Sequence, residues 1–598
     1  MIEKMVKVNI VGPKKRLESV VSSLHRLKVL HITEHKKSDE LDIGSPSKKA
    51  EKISRMLVEV SALVASLRLE ASCRPEALGD GASIRKKLKE ITKHVVRQQE
   101  ELKALNERLA SARSSGEKML PFAGLSTPFE YYGGYECLVS FAGRAKDIPG
   151  LKHELHGNTM MEHAKDTLLL FADKASEEVC RTALKKHSFQ ALGYDPSWKH
   201  SPKQAIRDLE AEEKGIQARI ARIQSSLNQV AEKSGNFLLA LQAALKKELE
   251  KAEAPLKMGS TESAFFLSGW LPQARKEEVE KALAKETIHV VINEPGKKDT
   301  VPVKLRNSKT TQPFEFFMDL YSLPSYRELD PTLFLALTFP LFFGFIVGDI
   351  GYGLAGLLIA WYISKKIPGT KGFMKIIMVS SLMSLLFGVF FGEFFGEEEI
   401  MGIAMPHVLS RAHQMQELLY LAIAIGIIHI NAALLIGFFN EKSHGISHAI
   451  FAKISWIILQ IGVAVIALDL MGIISSSYLG YFIIGIAVLM LVKGEGINGI
   501  IELPGIFSNI LSYARLMAIG LSSVSIALVI NEFAAKWIEA GGLLAIGAVL
   551  LLVIGHGVNL ALGYLGGFLH SLRLHYVEFF TKFFHGGGIA YRAFGEHK

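Results

Sequence analysis

Residues 331–363 read PTLFLALTFPLFFGFIVGDIGYGLAGLLIAWYI, and this run decides the fold class. Its 33 residues contain a single charged side chain, Asp349. About 20 apolar residues are enough to cross a bilayer as a helix, so the run predicts a membrane protein with one overlong span or two shorter ones. A wholly soluble enzyme and a disordered chain are excluded, and three cysteines are too few for a disulfide scaffold.

Further apolar runs follow, and the charges between them indicate the direction of each crossing. Four lysines between positions 365 and 375 follow the first run, and three glutamates at 397–399 follow the second. Cytosolic loops are enriched in Lys and Arg, so we expect the lysine loop in the cytosol. The complete set of runs is Pro331–Ile363, Ile376–Phe395, Leu418–Phe439, Ile454–Ile474, Tyr478–Val492, Leu503–Ile530 and Gly541–Leu572.

The first run is expected to turn back on itself at residues 348–353, whose sequence is Gly-Asp-Ile-Gly-Tyr-Gly. A single crossing would place the N-terminal half outside, yet Met1–Gly12 is too polar for a signal-peptide core. The glycines permit the turn. The result is eight spans with both termini in the cytosol, and Lys442, Lys453 and Lys493 then fall in loops on the inner side.

The first 310 residues hold most of the charge and are expected to form a cytosolic α+β domain. The whole chain has 68 Lys and Arg against 59 Asp and Glu, for a net charge of +9. No basic run is interleaved with aromatic residues, so we expect the lipid bilayer and not nucleic acid as the partner of this charge. Three widely spaced cysteines, Cys73, Cys137 and Cys180, fit a reducing compartment.

Two apolar seams predict a pair of long helices. One runs from Ile84 to Leu109 with alternating spacings of four and three, and the other from Ile206 to Leu241. A helix from Pro202 to about Glu253 would be roughly 75 Å long. One interpretation is a solvated, self-contained hairpin. We favour a docking arm for other helices, because a rod this long has little reason to exist alone.

Shorter patterns predict two α/β lobes around these helices. Strands are predicted at Val6–Val11, Val29–Glu34, Tyr135–Phe141, Thr167–Phe171, Ala264–Leu271 and Ile288–Ile292, and short helices at Arg16–Leu27 and Arg275–Ala284. The simplest assembly is a dumbbell, in which the two lobes are joined by an antiparallel coiled coil. Its parts are a proximal lobe (1–45 and 260–305), coiled-coil arms (47–118 and 201–257) and a distal lobe (119–200). A linker (311–330) leads to a polytopic α-helical membrane domain (331–598) of about eight helices, the last two long and tilted.

An ionisable side chain inside a span is costly and is therefore a candidate functional residue. The run Leu503–Ile530 contains one, Arg515, near its middle, with Ser508, Ser512 and Ser522 at helical spacings from it. The predicted result is a polar stripe on an otherwise apolar helix. Because about 12 residues lie on either side, an arginine here reaches water with difficulty.

The last long run carries a second polar face. Small and hydrogen-bonding residues alternate there at spacings of three and four: His556, Asn559, Gly563, Gly566, His570 and Arg573. Such residues leave room for water or for close approach of another helix. Arg573 is either part of this face or an arginine that snorkels to the cytosolic end.

Other polar groups in the membrane half have a structural and a functional interpretation. Glu393 either lines an aqueous entrance or ends a helix in solvent. Glu502 is either a channel carboxylate or a favourable charge at a helix N-terminus. Asp349 is expected to cap the predicted turn, with a role in transport as the alternative. His429 and Asn431 are expected to pack helices together, with a role as ligands as the alternative.

The motifs of nucleotide and zinc chemistry are missing from the sequence. It contains no GxxxxGK[ST], no HExxH and no paired CxxC, so we expect no cofactor and no metal. A fixed cation is useful where another chain carries a mobile carboxylate, since opposite charges 4 Å apart attract by about 4 kcal/mol at an effective dielectric of 20. That attraction favours release of a proton or sodium ion, and arginine stays charged when it is desolvated.

Three segments resemble a known family. They are SLPSYRELDPTLFLALTFPLFFGFIVGDIGYG (322–353), SNILSYARLMAIGLSS (508–523) and LHSLRLHYVEFFTKFFHGGG (569–588). They are similar to the stator membrane subunit of rotary A-type and V-type ATPases, called subunit a or subunit I. FFLSGWLP (265–272) and the dumbbell fit the same family.

The resemblance implies partners and roles. Arg515 and Arg573 would face the carboxylates of the rotor c/K ring, between two offset half-channels. The arm would bind helical heterodimers of the peripheral stalk, and the proximal lobe would lie near the central-stalk cap subunit. The serines and the His556, Asn559 and His570 face would line the rotor-facing surface.

The chain also departs from the family pattern. Eukaryotic members carry a histidine two turns after the first arginine and a glutamate about ten residues before the second, where this chain has Ser523 and Gly563. The candidate half-channel carboxylates are therefore Glu393, Glu502 and Glu578. The compact length resembles archaeal and bacterial members, which implies a prokaryotic cell membrane.

Three functional hypotheses follow. The leading one is the ion-conducting stator of a rotary ATPase or ATP synthase, in which other subunits carry out the ATP chemistry. A stand-alone secondary transporter with a cytosolic coiled-coil arm is the alternative, which internal repeats would favour, and none is evident. A purely structural anchor for the stalk leaves Arg515 unexplained.

Overall fold

The computed structural model describes most of the chain, namely residues 1–35, 37, 41–69, 81–133, 135–155, 159–284, 286, 288–296, 298–400, 402–442, 445–475 and 477–596. The chain divides into two compact units. One combines Met1–Gly44 with Lys257–Lys598, and the other is Ser45–Leu256.

The proximal lobe is built on an antiparallel sheet. Its central strands, Met5–Pro13 and Ala264–Pro272, pair along their full length, and His289–Asn293 adds to the outer edge of the first. Short strands His31–Ile32, Asp42–Ile43 and Gly259–Ser260 complete it, and helices Leu17–Leu27 and Lys276–Leu283 pack together. The predicted strands and helices are thus confirmed, with one exception.

The exception is the strand predicted at Val29–Glu34. Only His31–Ile32 pairs there, with Trp270 and Gly269. Beyond this pair, the Thr33 N–H still donates to the Ser268 carbonyl at 2.9 Å, while the carbonyls of Val29 and Leu30 accept from the Tyr591 hydroxyl and the Phe594 N–H. The strand is therefore short because of contacts with distant residues, which its own sequence does not reveal.

The second unit contains a smaller antiparallel sheet of four strands, Leu138–Arg144, Thr159–Ala164, Thr167–Asp173 and Gln190–Ala191. Helices Ile148–Glu154 and Glu177–Lys186 cover it with an apolar cluster. At its edge, Glu162 accepts hydrogen bonds from the backbone and hydroxyl groups of Ser126 and Thr127. Burial raises the pKa of the Glu162 carboxyl, but these hydrogen bonds together lower the pKa by more. The pKa therefore lies below the ordinary value of a glutamate.

The same unit contains the long helices of the arm, Ala50–Ser66, Gly81–Met119 and Pro202–Glu253. The second and third run antiparallel, because Arg108 pairs with Glu212 while Arg219 pairs with Glu101. The predicted seam is buried at Leu88, Ile91 and Val95. Both predicted seams therefore form real helix contacts, and Ala50–Ser66 adds a third helix beside them. The dumbbell remains a prediction.

The membrane half consists of apolar helices. Among the described residues, six are long and apolar enough to cross a membrane: Lys371–Phe391, Met415–Glu441, Ile446–Leu470, Tyr478–Glu495, Ile497–Ala540 and Leu543–Lys582. They contain local irregularities, including π-helical turns at Ile450–Ile454 and Leu574–Phe579. Two shorter helices, Thr332–Val347 and Ile350–Lys366, precede them, after the linker helix Glu315–Tyr321.

The first apolar run breaks where the turn was predicted. Gly348 has a φ of +26°, in the region that favours glycine, and the next helix begins at Ile350. The Asp349 carboxylate accepts the backbone N–H of Tyr352 at 2.8 Å and that of Gly396 at 2.8 Å. Asp349 is therefore the helix cap that the sequence predicted.

Contacts with Lys371–Phe391 show that the chain reverses at this break. Before it, Gly344 lies against Met383 and Gly348 lies against Phe391, so the contacts advance along Lys371–Phe391 as the chain proceeds. After it, Ile350 lies against Gly388, and Gly353 lies against Ser381 and Leu385. The contacts therefore move back toward the start of Lys371–Phe391. The predicted turn is confirmed, while the count of eight spans stays a prediction.

Residues 585–596 return to the proximal lobe. The Phe594 N–H donates to the Leu30 carbonyl at 2.8 Å, and the Tyr591 hydroxyl donates to the Val29 carbonyl. Ala590 forms a parallel bridge with Val303. Segments that touch lie on one side of a membrane, so the chain crosses an even number of times between the lobe and this segment.

Gly388 is expected to tolerate no side chain. A Cβ added there would lie 2.4 Å from the Ile350 nitrogen and 2.6 Å from the Asp349 carbonyl carbon, both of them backbone atoms. Gly388→Ala should lower the free energy of unfolding by about 1–3 kcal/mol, the usual cost of overpacking. Gly485→Ala is the matched control, because nothing lies within 4 Å of its added Cβ. Thermal unfolding of the purified chain in detergent checks this, and equal midpoints for the two variants would contradict it.

Candidate functional site

Arg515 follows an interruption in its helix. The predicted continuous helix is divided into Leu503–Leu511 and Ala514–Ala540. Between them the backbone tightens, because Tyr513, Arg515 and Leu516 each bond to the carbonyl three residues earlier. The arginine therefore sits in the first turn of a new helix, close to a local irregularity.

Arg515 forms an ion pair with Glu578. The distance between Arg515 Nη2 and Glu578 Oε1 is 2.7 Å, and the side chains are 21% and 2% exposed. Glu578 lies in the π-helical turn Leu574–Phe579, at the end of the last long helix. The sequence identified both residues as candidates, but it did not predict that they touch.

The pair leaves hydrogen-bonding capacity unused. Among the described residues, neither Arg515 Nη1 nor Glu578 Oε2 has a hydrogen-bond partner, and both atoms are buried. Buried polar atoms are nearly always satisfied, so this donor and this acceptor each need a partner from outside the described residues. The site can accept a further carboxylate, a water molecule or an ion.

Arg573 and His570 extend this charged region. Arg573 is exposed and makes no hydrogen bond or ion pair within the described part of the chain. His570 is half-buried, and both Arg515 and Arg573 act electrostatically on its imidazole ring. The two predicted arginines are thus brought near one histidine, and one of them is free to contact another molecule.

His556 and Asn559 belong to a separate hydrogen-bond network. The Tyr352 hydroxyl lies 2.7 Å from His556 Nδ1 and accepts from Asn559 Nδ2 at 2.8 Å. His556 Nε2 lies 2.8 Å from Asn531 Oδ1, and Asn559 also donates to the Ser523 carbonyl at 2.9 Å. Asn559 is 1% exposed. The structure therefore places Asn559 in the interior of the helix bundle and not on a surface, because a buried amide needs partners on several sides.

The remaining predicted residues lie apart from the ion pair. Ser508, Ser522 and Glu502 are exposed. Ser512 is half-buried, and its hydroxyl donates to the Ser508 carbonyl at 2.9 Å. The serines therefore mark the surface of the two helix segments and do not contact the Arg515–Glu578 pair.

Glu393 is buried in a second ion pair that the sequence did not reveal. Its partner is Arg411, and both side chains are 1% exposed. Two nitrogens of the guanidinium donate to the two oxygens of Glu393. Arg411 also donates to the carbonyls of Ile346 at 3.1 Å and Gly348 at 2.8 Å, so it ties its own segment and Glu393 to the predicted turn. A lone arginine in a polar stretch gives no local signal of this burial.

Comparison with known proteins identifies the family. The V-type ATPase 116kDa subunit family matches residues 152–397 and 497–595. The second range includes Arg515, Glu578 and Arg573. The chain belongs to this family.

Curated relatives match over the full length. A-type ATP synthase subunit I of Archaeoglobus fulgidus is 32% identical, with 100% of this chain and 99% of that protein covered. A-type ATP synthase subunit I of Halobacterium salinarum is 26% identical, with 99% and 98% covered. A solved structure described as the cytoplasmic N-terminal domain of subunit I, homolog of subunit a, of V-ATPase covers 48% of this chain at 17% identity. Its TM-score of 0.26 is too low to support a structural argument.

Proposed function

We propose that this chain is the ion-translocating stator subunit of a rotary A-type or V-type ATPase or ATP synthase. The observation that carries the proposal is the Arg515–Glu578 pair, a fixed cation in an apolar helix bundle with an unused donor beside it. The names of the relatives support the same class of machine. ATP chemistry takes place on other subunits.

Two carboxylates, that of Glu578 and that of the rotor ring, compete for Arg515. When a rotor c/K-ring carboxylate approaches, the partly exposed Arg515 side chain can shift so that Nη1 donates to this carboxylate while Nη2 stays on Glu578. An opposite charge about 4 Å away at an effective dielectric near 20 contributes about 4 kcal/mol, which favours the ionised rotor carboxylate and releases its H+ or Na+. A guanidinium suits two carboxylates because its donors point in different directions.

Two half-channels supply and remove the ion. On the outer side, the Glu393–Arg411 pair, Asp349 and the network around His556 form a series of polar groups inside the bundle. On the inner side, Glu502 is the exposed carboxylate at the start of the Arg515 helix segments. Arg515 lies between them and blocks direct passage of a cation by charge repulsion.

The rest of the chain attaches this subunit to the other stationary parts of the complex. The arm binds helical heterodimers of the peripheral stalk through helices such as Pro202–Glu253, which is 52 residues long. The proximal lobe lies in the cytosol near the central-stalk cap subunit. The contact of residues 585–596 with this lobe supports the even number of crossings that this orientation requires.

Cysteine cross-linking in native membranes tests the proposal. Ser522 is exposed on the Arg515 helix, so Ser522→Cys should cross-link to a cysteine placed beside the rotor carboxylate, in a chain whose natural cysteines are replaced by serine. Gly485→Cys is the control, because Gly485 is exposed on another helix. A ring that co-purifies and cross-links only through Ser522→Cys supports the stator. A chain that purifies alone and never cross-links would support the stand-alone transporter instead.

A further inference from the structure

Tyr513 is clamped at the interruption that precedes Arg515. It is fully buried, and its hydroxyl lies 2.6 Å from His429 Nδ1. A Cβ added at Gly426 would lie 2.7 Å from the Tyr513 ring, so that ring rests directly on the Met415–Glu441 helix. Phe342 contacts the same ring edge to face. His429, Gly426 and Phe342 therefore all pack against the Tyr513 side chain.

One face of the His429 ring contacts the segment that carries Glu578. The imidazole stacks on the Phe579 ring with a centroid distance of 4.1 Å and an interplanar angle of 5°. Phe579 is the residue that follows Glu578. The His429 side chain therefore contacts both Tyr513, two residues before Arg515, and Phe579, the residue after Glu578.

Both segments that meet at the pair depart from regular α-helix. The backbone around Arg515 uses i to i−3 bonds, and the backbone around Glu578 is π-helical. Such turns lack the regular bonding that fixes an α-helix, and they mark places where position is set by other contacts. His429 supplies a contact to both.

We propose that His429 and Tyr513 are positioning residues that set the distance between Arg515 and Glu578. The inference rests on the proposed function, since the pair matters only where it serves ion transfer. His429 holds Tyr513 by the hydrogen bond and Phe579 by stacking. Because Tyr513 and Phe579 lie next to Arg515 and Glu578 in the chain, their positions fix the positions of the two charged groups. Neither residue touches the ion.

Two conservative variants test the hydrogen bond in the assembled complex. Tyr513→Phe removes the hydroxyl, and His429→Phe keeps a ring against Phe579 while it removes Nδ1. Each should lower the initial rate of ATP-driven ion uptake into vesicles about fivefold, the factor that corresponds to one lost hydrogen bond. Subunit recovery should be unchanged. The double variant should lose no more than either single variant, because both changes remove the same bond.

A matched control and a rescue separate positioning from packing. Tyr420→Phe removes a hydroxyl bonded to Gln416 on the exposed side of the same helix and should pump normally. His429→Asn, which retains a polar atom near the place of Nδ1, should pump faster than His429→Leu, because both variants lack the ring and only the first can bond to Tyr513. Multiplicative losses of about 25-fold in the double variant, or loss of assembly in both single variants, would assign the two residues to packing and overturn the inference.

The test distinguishes this inference from the proposed function. If Arg515→Gln stops pumping while Tyr513→Phe and His429→Phe pump like the unchanged chain, the positioning role of His429 and Tyr513 is wrong and the stator role stands. If Arg515→Gln pumps normally, the stator role itself fails.

Discussion

Arg515→Gln is expected to abolish coupled ion pumping while the complex still assembles. The change removes the fixed charge that favours the ionised rotor carboxylate. A contribution of about 4 kcal/mol corresponds to a loss of roughly 1,000-fold, at 1.36 kcal/mol for each factor of ten. Ion uptake by inverted vesicles, with subunit recovery measured in parallel, checks the prediction.

A double variant separates the loss of charge transfer from the loss of stability. In Arg515→Gln alone, Glu578 stays buried without its cation, which is itself destabilising. Arg515→Gln with Glu578→Gln gives a neutral pair that can still hydrogen-bond. We expect this chain to regain stability and to remain unable to pump. Near-normal pumping in either assembled variant would refute the role of Arg515.

Arg411→Met is expected to cause the largest loss of stability. The change leaves the Glu393 carboxylate, 1% exposed, without its partner, and it removes two donors from backbone carbonyls at the end of Thr332–Val347. Breaking one side of a buried pair costs about 3–5 kcal/mol. A lower unfolding temperature of the purified chain in detergent would show it.

Two further variants provide the comparison. Arg411→Met with Glu393→Met should recover part of the loss, because apolar replacement of a whole buried pair is often close to neutral. Recovery stays partial, since the carbonyls of Ile346 and Gly348 still lack their donors. Lys536→Met breaks a pair whose side chains are 62% and 67% exposed and should leave stability nearly unchanged. A loss in Arg411→Met no greater than in Lys536→Met would contradict the prediction.

Features set by local pattern could be predicted from the sequence. The helix Pro202–Glu253 has the predicted limits, because its seam repeats over many turns. The turn at Gly348 was predicted from glycines and loop charges, and Asp349 caps it as expected. Each of these depends on residues close together in the chain.

Contacts between distant residues could not be predicted. Arg515 and Glu578 are 63 residues apart, and no periodicity links them. Arg411 was overlooked because its stretch is polar and reads as a solvated loop. The interior position of Asn559 depends on Tyr352, 207 residues away. In each case the partner lies on another helix, and a single sequence gives no measure of which helices are neighbours.

The return of residues 585–596 to the proximal lobe has a consequence for the order of folding. The Tyr591 hydroxyl bonds to the Val29 carbonyl across 562 residues, and Phe594 bonds to Leu30 beside it. At about 5–20 residues per second, a ribosome needs roughly 30–110 s to make that intervening chain. A lobe whose first strands leave the ribosome before the membrane helices is thus completed only after them. Until the membrane helices have been inserted, its edge at Val29 and Leu30 stays open, and a chaperone or another copy of the chain has time to reach it.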